Sequence, residues 1–128
     1  MRLLLDTHAL LWWAGGASQL SRPARVAIAE ETNDVFVSAA SAWEVATKHR
    51  LGRLDRVGPL LDDLPGYLDD QDFQELGISV LHAQRSGALP GPHRDPFDRM
   101  LVAQAQIEGL TLVSNEEVFD RYGVRRLW

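Results

Sequence analysis

At 128 residues the chain is sized for a single domain spanning 1–128, and its 45% hydrophobic content is enough to build a core without covalent staples. The absence of cysteine excludes disulfides and thiolate chemistry, so any metal site must draw on oxygen or imidazole donors. A net charge of −5 argues against a plain polyanion-binding surface. No apolar run approaches the ~18 residues of a membrane span, and Asp6 and His8 interrupt the apolar start, so the expectation is a cytoplasmic protein with no membrane partner.

In chain order, Arg2 to Leu5 is a short apolar run ending in Asp6 and reads as a buried strand. Thr7 to Trp13 begins a helix that Gly15-Gly16 ends. Pro23 to Glu31 is a second helix, with Ser21 or Arg22 near its start. Asp34 to Ser38 is a second strand, and Ser41 to Arg50 a helix stopped by Gly52. Pro59 to Glu75 is helical with a break at Pro65-Gly66, and its run of acids reads as a solvated face. Ile78 to Leu81 is expected as the third strand, followed by a short helix near His82 to Ser86. Leu89 to His93 is loop, and Pro96 to Glu108 is a helix stopped by Gly109. Leu110 to Val113 is a fourth strand, Glu116 to Arg121 a short helix, and Val124 to Leu127 a final strand. Apolar strands alternating with helices predict an α/β fold with a parallel sheet covered on both faces.

That arrangement gives the acids a common address. In an open parallel sheet, ligands bind beyond the carboxyl ends of the strands. Asp6 follows the first strand, Glu44 lies near the start of the helix after the second, Asp95 and Asp98 open the helix before the fourth, and Glu116 follows that strand. Each acid has a local reading as well. Asp6 and Asp95 suit helix N-caps, Ser41 to Glu44 matches a capping box, and Asp98, Glu116 and Glu117 favour a helix dipole. Taken together at one edge, the carboxylates repel and need a cation to resolve them. Oxygen-only ligation suits Mg²⁺, with Mn²⁺ as the alternative, and metal-activated water can then hydrolyse a phosphodiester. The histidines lack zinc-site spacing, and His8 and His93 are assigned structural or supporting roles.

The stretches LLLDTHALLWW, SAASAWEVATKHRLGRL, HRDPFDRMLVAQA and LTLVSNEEVF, in this order and covering Arg2 to Leu127, resemble PIN-domain proteins, specifically the toxins of VapBC-type toxin–antitoxin pairs. The resemblance implies a three-layer α/β/α sandwich with a central, mainly parallel sheet. It also implies a metal-dependent endoribonuclease that cleaves a structured RNA substrate, inhibition by a small cognate antitoxin and a homodimer. Carried over by motif, Asp6, Glu44 and Asp98 match the family's first three acids, and Glu116 stands at the place of the fourth, one methylene longer than the usual aspartate. Asp95 is an extra acid that either binds metal or caps the helix. Ser114 and Asn115 are candidates to orient water or phosphate. Lys48, Arg50, Arg53 and Arg56 are candidates to grip phosphates, or else to suit a helix C-terminus, and Arg99 to pair with an acid or a phosphate. Trp12 and Trp13 can stack on bases but read mainly as core or partner contacts, and a groove beside Leu10, Leu11 and Trp12 would suit an antitoxin helix.

Two rival readings differ in kind. A metal-dependent phosphatase or receiver-like domain is compatible with Asp6, but it wants a second acid where His8 stands and a lysine near the late strands. A non-catalytic PIN-like interaction domain is motivated by glutamate at 116.

Overall fold

The computed structural model describes residues 1–54, 57–91 and 93–128. Arg56 and Pro92 therefore lie outside the described residues. The chain runs β1 (Arg2–Leu5), α1 (Thr7–Ala14), α2 (Arg22–Ala29), β2 (Asp34–Ser38), α3 (Ala39–Arg50), α4 (Gly58–Asp62), α5 (Leu64–Asp70), β3 (Gln74–Leu76), α6 (Val80–Ala88), α7 (Pro96–Glu108), β4 (Thr111–Val113), a 3-10 turn of helix (Glu117–Tyr122) and β5 (Arg126–Leu127). The strands form one parallel sheet in the order β3-β2-β1-β4-β5.

The strand period of two divides the core between the sheet's faces. Leu3, Leu5, Val35, Val37 and Val113 face α1, α2 and α5, with Ala9, Leu10, Ile28 and Leu68 packed on them. Leu4 and Leu112 point the other way, onto Leu101, Val102 and Ala105 of α7 and Phe119 of the 3-10 helix. The result is the expected α/β/α sandwich. Every strand enters from the same direction, so the carboxyl ends of the strands and the amino ends of α1, α3 and α7 collect at one edge.

Local chemistry fixes where these helices start. The Asp6 carboxylate accepts from the Ala9 N–H at 2.8 Å and caps α1. Asp95 does the same for α7, accepting from the N–H groups of Phe97 and Asp98, with Pro96 in the first helical position. Gly109 ends α7 at φ +66°, a left-handed conformation that glycine adopts without penalty.

Three expectations are corrected. The third strand is Gln74–Leu76, not Ile78 to Leu81. Ser79 caps a helix there in a reciprocal pair with His82, whose Nδ1 accepts from the Ser79 N–H and whose Nε2–H donates to Glu108 at 2.9 Å. Val80 and Leu81 thus begin α6 and face solvent. The helical region from Pro59 ends at Asp70, and its break falls at Asp63, which caps α5, so that Pro65 lies in the first turn of α5. The box at Ser41 to Glu44 does not form. Ser38 caps α3 by accepting from the Ala40 N–H at 3.0 Å, which moves Glu44 into the second turn and releases its carboxylate from capping.

Candidate metal centre

Asp98 anchors the acidic edge. Its side chain, in the first turn of α7, is 13% exposed. Its pKa is pushed up to about 7, chiefly by burial and further by the charges of Asp95 and Glu116, while the hydrogen bond from His93 opposes the rise. Asp6, buried at the end of β1, is pushed up to about 6, again mainly by burial, with Glu116 adding to the rise. The Ser114 hydroxyl, the Ala9 N–H and His8 pull the other way. Both acids feel Glu116, which lies just past β4. The Glu116 backbone N–H donates to the hydroxyl of buried Ser114 at 3.0 Å, so one serine serves Asp6 and the turn that carries Glu116.

His93 completes the group. Its Nε2 lies 2.7 Å from Asp98, its ring meets Phe119 edge-on at 5.9 Å, and its backbone N–H donates to the Tyr122 hydroxyl at 3.2 Å. One donor atom each from His93, Asp98 and Glu116 fall within 4.8 Å of one another, a spacing at which a single cation could be shared. His93 was assigned a supporting role on sequence grounds, and the structure sets it inside the cluster. No local pattern in the sequence signals this contact, which forms across the loop before α7.

Glu44 is buried on α3, with Oε1 accepting from the Thr7 hydroxyl at 2.6 Å and Oε2 paired with Lys48 one turn on. Thr7 also reaches Ser41 at 3.2 Å and so ties the starts of α1 and α3 together. The Lys48 pKa is raised. Burial works against the rise, but it is outweighed by the bond and charge of Glu44, with Asp95 and Asp98 contributing. Lys48 therefore acts as an internal counter-charge to the acids. Glu44 and Asp95 border the His93–Asp98–Glu116 group without sharing its spacing, and Asp6 couples to it through Glu116.

The remaining candidates separate clearly. Arg99 donates to the carbonyls of His93, at 3.0 Å, and of Leu89, which locks the loop before α7. Arg50 is exposed in the last turn of α3, Arg53 is exposed beyond it, and Asn115 is exposed beside buried Ser114. Trp13 donates to Gln71 at 2.9 Å and packs on Phe73, so it belongs to the core. Leu10 is fully buried, which removes it from any partner groove.

The donor set is carboxylate oxygen with one imidazole. Asp98 within it and Asp6 beside it have raised pKa values, mainly because they are buried, and a bound divalent cation would favour their charged forms. The set could hold a divalent cation.

The sequence matches the PIN domain family profile over residues 3–125. No curated relative matches it. Among solved structures, the chain is similar to VapBC2 from Rickettsia felis bound to a DNA fragment from their promoter, with a TM-score of 0.70 and 16% identity over 98% of this chain and 97% of that one. It is also similar to DNA-bound VapBC from Salmonella typhimurium, with a TM-score of 0.67 and 18% identity over 98% and 96%. A toxin–antitoxin complex from Klebsiella pneumoniae matches with a TM-score of 0.57 and 24% identity over 91% and 89%. At these identities the likeness is one of fold.

Proposed function

The chain belongs to the PIN domain family, and we propose that it is a Mg²⁺-dependent endoribonuclease, the toxin of a type II toxin–antitoxin pair. The observation that carries this reading is the convergence of Asp98, Glu116 and His93 within 4.8 Å, beside Asp6 and Glu44, at the carboxyl edge of a parallel sheet. Asp98 and Glu116, with His93, offer donor atoms close enough to share a cation, and Asp6, Glu44 and Asp95 are the further carboxylates assigned to it. A bound divalent ion supplies Lewis-acid polarisation of the phosphodiester and activation of the attacking water.

The chain's own residues prepare that site. Asp6 and Asp98 are fixed by the starts of α1 and α7, so little side-chain freedom is lost when they meet a cation. The amino ends of α1 and α7 favour the approaching phosphate. Lys48 offsets part of the negative charge and holds Glu44 in place. His93 orients Asp98 through its Nε2.

VapBC and toxin–antitoxin complexes are among the similar structures, which supports a small cognate antitoxin as partner; a cytoplasmic site of action belongs to the same reading. Among the described residues no helix is long and apolar enough to cross a membrane. A homodimer belongs to the same reading.

Asp6→Asn tests the activity. Asparagine still caps α1, so the variant should keep its fold by circular dichroism while cleavage of total RNA in Mg²⁺ falls by orders of magnitude. Cleavage equal to the parent's would remove Asp6 from the mechanism and the metal-dependent reading with it.

A further inference from the structure

Two aromatic pairs lie next to the acids in sequence and are not used by the metal site. On α1, His8 stacks on Trp12 with ring centroids 5.3 Å apart and planes 17° from parallel, and Trp12 is backed by Trp128 at 5.7 Å. His8 is exposed, so the stack ends in solvent two residues beyond Asp6. At the seam of α3 and α7, Trp43 meets Phe97 edge-on at 5.1 Å. Trp43 is 65% exposed, unusual for so large an apolar surface, and Trp43 and Phe97 immediately precede Glu44 and Asp98. The first pair sits on the helix that covers one face of the sheet, and Phe97 on the helix that covers the other. The first pair lies near Asp6, whose carboxyl feels the charge of His8, and the second is carried by the helices that hold Glu44 and Asp98.

We propose that His8–Trp12 and Trp43–Phe97 are stacking platforms that hold unpaired bases of a single-stranded RNA on the two sides of the acidic cluster, with the intervening phosphate directed to the cation; this rests on the nuclease reading. The charge distribution supports a base as the occupant. Among the described residues, Lys48 is committed to Glu44 and Arg99 to backbone carbonyls, and the edge itself is acidic, so contacts to the bases would add what these two cations do not supply. A neutral ring stacked on an aromatic face binds without needing positive charge, whichever base it is. Splaying bases to opposite sides requires an unpaired strand, so duplex RNA is a poor ligand. Trp12 thus serves as both core and platform support, while Trp13 serves the core alone.

The test is fluorescence anisotropy with a labelled single-stranded oligoribonucleotide of on the order of ten residues, in Ca²⁺, a hard cation that suits carboxylate sites. His8 and Trp43 are exposed, so His8→Ala and Trp43→Ala should leave the fold intact. Each is expected to weaken binding about tenfold. Placing an abasic nucleotide at the matching position should weaken the parent equally and the variant no further, and His8→Phe and Trp43→Phe should restore binding. Alanine variants that bind like the parent, or abasic ligands that bind as tightly as intact ones, would overturn the proposal. So would a Trp43→Ala variant that changes only the oligomeric state, since the surface would then be a contact between copies of the chain. RNA bound through both aromatic pairs yet not cut in Mg²⁺ would remove the nuclease reading and leave the platforms standing.

Discussion

Asp6 and Asp98 carry carboxyls whose folded pKa values, about 6 and about 7, lie above the ordinary 3.8. The folded chain therefore holds protons that the unfolded chain releases. Their contribution to stability is fully present below about pH 4 and is lost as the pH rises through about 6 to 7. In chelator, the melting temperature should accordingly fall between about pH 5 and pH 8, a range in which most proteins change little. Asp6→Asn combined with Asp98→Asn should flatten that slope, and a slope unchanged in the double variant would show that other groups cause it. Much of this residue-level chemistry was legible in the sequence. An acid directly after a strand and an acid three residues after a capping aspartate have few places to go once the strands are parallel. His93 was not legible, because its bond to Asp98 spans a loop whose path depends on Arg99 reaching back to the carbonyls of Leu89 and His93.

At the scale of elements, the 3-10 helix Glu117–Tyr122 does more for the site than its length suggests. Phe119 is fully buried in the second core, touches the His93 ring and fixes the turn that begins at Glu116, while Tyr122 holds the backbone of His93. Phe119→Ala should cost about 3–5 kcal/mol in urea unfolding and weaken metal binding in the molecules that remain folded. A loss confined to stability would detach the helix from the site. The elements misread from sequence share a cause, since local patterns were satisfied by more than one structure. Ile78 to Leu81 has strand composition, yet Ser79 and His82 form a capping pair that wins the segment for α6, and the edge position goes to Gln74–Leu76, whose exposed polar side chains suit an unpaired strand edge. Ser38 and Ser41 are both plausible caps, and the earlier one prevails because β2 ends there. β1, β2 and β4 are legible because each carries a short apolar run bounded by turn or cap residues, which suits a strand covered on both faces.

Across the whole molecule, a chain of net charge −5 concentrates acids at one edge and meets them with a single internal lysine, Lys48. Those acids repel one another, and a bound cation would relieve the repulsion. A divalent ion held only by the folded state stabilises that state by about 2.7 kcal/mol when its concentration is a hundred times its dissociation constant. Mg²⁺ or Mn²⁺ should therefore raise the melting temperature at neutral pH, whereas the same ionic strength of NaCl should not. Equal shifts with both salts would reduce the effect to general screening. Binding of RNA should likewise depend on the divalent ion more steeply than on total salt.

The central claim is that carboxylates from separate segments of this chain hold one catalytic divalent cation. Calorimetric titration of the metal-free protein with Mn²⁺, set beside the same titration of Asp98→Asn, tests it most directly. The account predicts a saturable site in the parent that is lost or greatly weakened in the variant. Identical isotherms for the two proteins, or no saturable binding by the parent, would contradict it.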